Sequence, residues 1–147
     1  MKVRSESEML ELGRCLALDL ALPAVFELVG DVGTGKTTFT RGLAAGLGVT
    51  EPITSPSFTI SKRYYFTSAD GQPSELVHYD FYRLPDPGIM SDELAETLNR
   101  PNTVVVVEWG EDVADLLPDR RIRLNLALTA DGSREVVITP VHRESRP

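Results

Sequence analysis

The segment Gly30-Asp31-Val32-Gly33-Thr34-Gly35-Lys36-Thr37 is where residue types and spacing speak most directly of chemistry. It matches G-x-x-x-x-G-K-[ST], which ordinary residue frequencies produce in roughly half a percent of chains of this length. Glycines let backbone N–H groups turn inward on phosphate oxygens, a lysine meets the β and γ oxygens, and a hydroxyl holds Mg²⁺. A helix beginning near Lys36 adds the positive end of its dipole. The segment therefore reads as a nucleoside triphosphate cradle rather than as a glycine-rich turn with a solvated lysine. It does not fix the reaction, since kinases, hydrolases, motors and switches share it.

Phosphoryl transfer also needs an acid to hold metal or water, and the places to look are the ends of apolar strands. Glu108 follows Val104 to Val107, and Asp80 follows Leu76-Val77-His78-Tyr79. The competing readings are a solvated strand cap for Glu108 and a turn carboxylate paired with Arg83 for Asp80. Trp109 beside Glu108 reads as packing or as a ligand contact, His78 as a strand-face residue without catalysis, and His142 as tail. Thr54-Ser55-Pro56-Ser57-Phe58-Thr59 supplies four hydroxyls around a proline, where loops that sense the γ-phosphate often lie, or else an ordinary polar turn. No Asn-Lys-x-Asp segment is present to read guanine, which disfavours a Ras-like GTPase and leaves adenine weakly favoured.

These residues need a strand, loop and helix in that order, and the pattern supplies them. Ala24 to Val29 is a short apolar run for a buried strand, and Phe39 to Leu47 has amphipathic helical spacing, with Gly46 and Gly48 as stop signals. Upstream, Ser5 and Glu8 have capping-box spacing before a stripe of Met9, Leu12, Leu16 and Leu20, which predicts a helix ended by Pro23 with Cys15 as a small buried residue beside the stripe. Phe58 to Phe66 and Glu75 to Phe81 predict a hairpin across the turn 68–73. Asp92 to Leu98 predicts a short helix, and Thr103 to Val107 a central strand. Arg121 to Thr129 and Arg134 to Thr139 predict a second hairpin, before a tail at about 143–147 that should fray.

A chain of 147 residues, 41% hydrophobic and 25% charged, suits one domain with one core. Its single cysteine excludes an intrachain disulfide and any multi-cysteine zinc site, and a lone thiol fits the cytoplasm. Lys2 and Arg4 are followed by Glu6, Glu8 and Glu11, unlike a signal peptide, and no apolar stretch approaches membrane-spanning length. A formal charge of -7 argues against tight unaided binding to a nucleic acid. Arg120, Arg121, Arg123 and Arg134 read as solvated strand faces rather than as a basic surface.

Four blocks, Gly30 to Phe39, Ser55 to Thr59, His78 to Leu84 and Glu108-Trp109, together resemble the bacterial TsaE family, formerly YjeE, over nearly the whole chain. The resemblance implies an α/β fold of the P-loop NTPase type, with a mostly parallel central sheet carrying antiparallel strands and helices on both faces. It also implies a Mg-dependent ATPase that acts with TsaB and TsaD in making threonylcarbamoyladenosine in tRNA, reaching tRNA through that complex.

Carried over, it places ATP on Asp31, Val32, Gly33, Thr34, Gly35, Lys36, Thr37 and Thr38, and Mg²⁺ on Thr37 with Glu108. Asp80 becomes a further acid near metal or attacking water, and Lys36, Asp80 and Glu108 become the catalytic set. Ser5, Glu6, Ser57, Trp109 and Arg134 are implied to approach the nucleotide. The family usually has threonine where this chain has Ser57, which keeps the hydroxyl but loses a methyl group that could restrain the loop. Two other classes stay open: a nucleotide switch that does not hydrolyse, and a small-molecule kinase, for which no segment clearly supplies an arginine-bearing lid.

Overall fold

The computed structural model describes residues 1–56, 61–82 and 88–141. Its elements, in chain order, are β1 (Lys2–Val3), α1 (Glu6–Ala17), β2 (Ala24–Val29), α2 (Lys36–Leu47), β3 (Ser61–Thr67) and β4 (Pro73–Asp80), then α3 (Gly88–Leu98), β5 (Thr103–Glu108), a 3₁₀ helix (Glu111–Leu116), β6 (Arg121–Leu128) and β7 (Arg134–Val141). The strands form one seven-stranded sheet in the order β1-β7-β6-β2-β5-β4-β3. The four central strands, β6, β2, β5 and β4, run parallel; β7, β1 and β3 are added antiparallel at the flanks. This is the expected α/β arrangement. The valine run forms β5, buried at every residue because it lies between β2 and β4 with both faces covered.

Alternation along the strands sends side chains to two cores. On one face Phe26, Leu28, Val104, Val106 and Leu124 pack beneath α1 and α2; on the other Val25, Val77, Tyr79, Val105 and Val107 pack with Leu94 of α3 and with Val113 and Leu117. Burial of each such side chain contributes about 1.5–3 kcal/mol before entropy is counted. Phe26 and Phe39 set the first face, their rings 6.0 Å apart and inclined by 54°.

The two helices on that face touch through small residues. A methyl group on Gly13 would lie 2.3 Å from the carbonyl oxygen of Phe39, one on Gly42 2.1 Å from that of Leu10, and one on Gly46 2.6 Å from Cβ of Ala17. Gly46 is thus a packing residue inside α2. Gly48 is the stop: at φ +97° its N–H reaches back to the carbonyls of Ala44 and Ala45. α1 begins as expected, Ser5 accepting from the Glu8 N–H at 3.1 Å, while the Glu8 carboxylate reaches back to the N–H of Arg4 at 2.7 Å.

Two expectations for this region require correction. α1 stops at Ala17, before Pro23, and Leu20 packs on the core from outside the helix. Cys15 is exposed, with Sγ 3.4 Å from Glu11. The buried side of α1 is Met9, Gly13 and Ala17, spaced by four, so Cys15, two residues from Gly13 and about 200° round the helix, faces away. Small residues, invisible to a hydrophobic stripe, set that orientation.

Both hairpins form. β3 pairs with β4 across residues 68–72, Pro73 being the first residue of β4 and not part of the turn, and β6 pairs with β7 across a turn closed by Thr129, Asp131 and Ser133. α3 starts four residues before the helix expected from Asp92. β1 was not legible in the sequence: two residues long, it adds to the outer edge of β7, with Val3 opposite Arg134. Residues 58–60 of the expected first hairpin strand, and the tail from 142, lie outside the described residues.

Candidate functional site

Because β2, β4 and β5 are parallel, their carboxyl ends open on one edge of the sheet, where ligands collect in open α/β folds. β2 runs into Gly30, β4 ends at Asp80 and β5 ends at Glu108. In register, Glu108 lies opposite Leu28 on one side and Asp80 on the other. The glycine loop and the two acids chosen from strand ends therefore occupy three neighbouring strand ends.

The loop has the backbone its composition asks for. Gly33 and Gly35 sit at φ +86° and +104°, a region that L side chains rarely occupy, and Thr34 closes the turn through N–H and Oγ1 bonds to the carbonyl of Asp31 at 3.3 and 2.8 Å. Gly35 caps α2 without a side chain, so no side-chain cap competes for the N–H groups of the first turn. Lys36 is buried and folded back onto its own loop: Nζ donates to the carbonyl of Gly30, and to that of Asp31 at 3.1 Å. The same ammonium lies 4.4 Å from the ring centroid of Trp109, within cation–π range.

Trp109 follows Glu108 with φ +56°, unusual for an aromatic residue, and its ring centroid is 4.7 Å from that of Tyr82. The packing reading of this residue holds, and the packing brings its ring to the loop lysine. Tyr82 was not anticipated; it follows the strand end at Asp80, and only the fold brings it to Trp109.

The two acids differ in surroundings. Glu108 is buried, and its Oε2 lies 2.5 Å from Nε2 of the fully buried His78. Asp80 is partly buried, and its Oδ1 accepts from the N–H of Tyr82 at 2.9 Å. Burial pushes the Asp80 carboxyl above its usual range and the nearby Glu108 charge adds to that push, opposed in part by the Tyr82 hydrogen bond and by the charges of His78 and Lys36. Arg83, the rival partner considered for Asp80, lies outside the described residues.

The chain's amino end and its last hairpin also reach the loop. Ser5, Glu6, Met9, Gly35, Thr38 and Arg134 line a cavity of about 250 Å³, and Arg134 Nη2 donates to the carbonyl of Gly33 at 3.1 Å. Arg134 thus touches the loop from the surface of its strand. Arg121 and Arg123 both donate through Nε to Oε1 of Glu27 at 2.9 Å; Arg121, only 10% exposed, departs from the expected solvated face, while Arg123 stays 35% exposed. A larger cavity, about 370 Å³ and lined in part by Pro73, Arg100 and Thr103, opens at the amino ends of β4 and β5, away from these groups.

The donor set fits Mg²⁺ in kind: a Thr37 hydroxyl beginning α2 and carboxylates at Glu108 and Asp80, all hard oxygen ligands, with two acids side by side that a divalent cation would relieve. Among the described residues no group of three or more His, Cys, Asp or Glu side chains could hold a metal alone. Ser57 lies outside the described residues, as do Phe58 and Thr59. The root of their segment is pinned, Thr54 taking a 2.7 Å bond from Lys62 Nζ and giving its N–H to Tyr64 Oη at 3.3 Å.

His78 is the residue whose part at this edge sequence reasoning missed. The signal was there, because a residue two before Asp80 on a strand must share its face.

Comparison with known proteins gives concordant results. Residues 3–136 match the family model described as threonylcarbamoyl adenosine biosynthesis protein TsaE. The chain is 44% identical over 135 residues to the tRNA threonylcarbamoyladenosine biosynthesis protein TsaE of Streptomyces coelicolor, covering 89% of each chain. It is 39% identical over 118 residues to the protein of the same name from Bacillus subtilis, covering 80% of this chain and 70% of that one. The crystal structure of Bacillus subtilis YdiB superposes with a TM-score of 0.75 at 32% identity, over 96% of this chain and 84% of the other.

Proposed function

The chain belongs to the TsaE family, and from that premise we propose that it is a Mg²⁺-dependent ATP-binding and ATP-hydrolysing subunit acting with TsaB and TsaD in the threonylcarbamoyladenosine modification of tRNA. The observation that carries the reading is the convergence, at one sheet edge, of the loop Gly30 to Thr37 with Asp80 and Glu108 in register on adjacent strands. The reading treats residues 1–147 as one P-loop domain working in the cytoplasm. No helix among the described residues is long and apolar enough to cross a membrane.

In this mechanism the N–H groups of Asp31 to Thr38 receive the phosphates, and Lys36 exchanges the carbonyls of Gly30 and Asp31 for β and γ oxygens. Thr37 and Glu108 would hold Mg²⁺, which when bound would offset the charge that develops on the transferred phosphoryl group. Asp80, its carboxyl raised by burial and by the Glu108 charge, would be the further acid near the metal or the attacking water. Ser5, Glu6, Thr38 and Arg134 flank the rest of the nucleotide across their shared cavity, and Trp109, against whose ring Lys36 lies until the phosphates draw its ammonium away, approaches the nucleotide. Ser57 contributes its hydroxyl from the loop whose root Lys62 and Tyr64 hold. Binding or turnover changes that loop and resets the partner complex between rounds.

The test is ATP hydrolysis by the purified chain, alone and with TsaB and TsaD, in wild type, Lys36→Ala and Glu108→Ala. Turnover stimulated by the partners and lost in both variants supports the proposal. Tight Mg-ATP binding without turnover in any combination means a nucleotide switch, a phosphorylated small-molecule acceptor means a kinase, and normal threonylcarbamoyladenosine in cells depleted of the protein refutes the role in tRNA.

A further inference from the structure

Among the described residues, His78 supplies the side-chain hydrogen bond that meets the buried Glu108 carboxylate, and nothing in the proposed reaction uses it. β4 and β5 are parallel neighbours in which Asp80 lies opposite Glu108 and His78 opposite Val106. Alternation therefore puts His78 on the same face as the acids, one step deeper in the sheet. Its side chain is wholly buried, that of Glu108 is 5% exposed, and Nε2 stands 2.5 Å from Oε2. A carboxylate that ligates a cation can only accept, so in the Mg²⁺ reading this bond is donated by Nε2–H. The other nitrogen, Nδ1, is buried and has no partner among the described residues. Among the described residues, its side-chain hydrogen bond runs to Glu108.

We propose that His78 is a positioning residue: its Nε2–H fixes one oxygen of Glu108 and so presents the other, Oε1, to the cation. The inference rests on the Mg-ATP reading above. The arrangement answers a difficulty built into the edge. Glu108 stands in register with Asp80, a like charge that tends to turn the two carboxylates apart, and Lys36 spends its ammonium on the carbonyls of Gly30 and Asp31 and on Trp109. A donor from beneath restricts the Glu108 rotamer without adding a positive group in front of it, which would compete with the metal. Orientation of a metal-ligating side chain by such a neighbour is commonly worth about 10–100-fold in metal affinity.

The experiment titrates Mg²⁺ into the full chain saturated with ATP, following the fluorescence of Trp109, the sole tryptophan. ATP affinity in EDTA and thermal unfolding are measured alongside. His78→Gln keeps an amide donor near the place of Nε2, whereas His78→Asn has its amide near Nδ1, short of Glu108; both keep a polar side chain at the position. We expect Mg²⁺ affinity within about threefold of wild type for Gln and weaker by about tenfold or more for Asn, with metal-free ATP affinity unchanged in both. In a Glu108→Gln background, His78→Asn should cost nothing further.

Equal Mg²⁺ affinities for folded Asn and wild type, equal losses in Gln and Asn, or a further loss in the Glu108→Gln background would overturn the proposal. Should the Asn variant fail to fold, Gln decides: retained metal affinity supports the proposal and a tenfold loss overturns it. ATP binding by wild type that ignores Mg²⁺ would overturn the Mg-ATP reading and this inference together, an outcome distinct from any difference between variants.

Discussion

Lys36 is held by groups that a triphosphate must replace: the carbonyls of Gly30 and Asp31, and the face of Trp109. The side chain is therefore preplaced at the loop, and a phosphate competes with weaker neutral acceptors. Charge-assisted bonds from one ammonium are worth about 2 kcal/mol, so Lys36→Ala should weaken Mg-ATP binding roughly 30-fold by calorimetry. Its thermal unfolding should stay near that of wild type. Withdrawal of the cation from Trp109 gives a second readout. Emission from this tryptophan should change on Mg-ATP binding in wild type and change less in Lys36→Ala; an unaltered spectrum at saturation would mean that the contact survives binding. At this scale the places of the loop lysine and of both acids were legible because motif and strand-end position mark them, whereas pattern alone left Trp109 between packing and ligand contact. His78 was read only as a strand-face residue and Tyr82 was given no part, since their contacts depend on which strand neighbours which.

Helix α2 begins with the site lysine and is seated by close approach to α1, which makes the packing of small residues a determinant of the site's frame. Gly42→Ala would drive a methyl group into the Leu10 carbonyl, a backbone atom that cannot rotate away. The helices must part, and we expect a loss of about 2–3 kcal/mol in urea unfolding. β2, which leads into the loop, is tied to β6 by Glu27 with Arg121 and Arg123.

Burial pushes the Glu27 carboxyl up, but the hydrogen bonds and charges of the two arginines outweigh that effect and leave it below the usual carboxylate range. A depressed carboxyl contributes its stability in full above its unfolded value of about 4.3, and loses it as pH falls through the folded value. Glu27→Gln should thus cost about 1–2 kcal/mol at neutral pH, and the gap from wild type should close as the solution is acidified below roughly pH 4. A gap that persisted unchanged in acid would mean that shape rather than charge is at stake. Element types were mostly readable from periodicity. The end of α1 and the exposure of Cys15 were not, because Gly13 and Ala17 carry no hydrophobic signal yet decide which side of the helix faces α2.

For the whole molecule, a formal charge of -7 leaves little to attract a polyanion, so the chain alone should show no tight tRNA binding at physiological salt in a gel-shift assay. Retention of tRNA is expected only when TsaB and TsaD are present, and salt-resistant binding by the chain alone would contradict the proposal. Sequence by itself determined the α/β class, the glycine loop between strand and helix, and the strand-end positions of the two acids, because these rest on local rules: glycines where φ is positive, a hydroxyl and a lysine at fixed offsets, carboxylates closing apolar runs. Tertiary structure alone decided what meets the loop from far along the chain. β1 adds to the edge of β7, so Ser5 and Glu6 come to the same cavity as Arg134, and the sheet order sets Asp80 beside Glu108 with His78 beneath. Strand order and register are settled by which faces can be buried together over the whole chain, a long-range condition that no local spacing encodes.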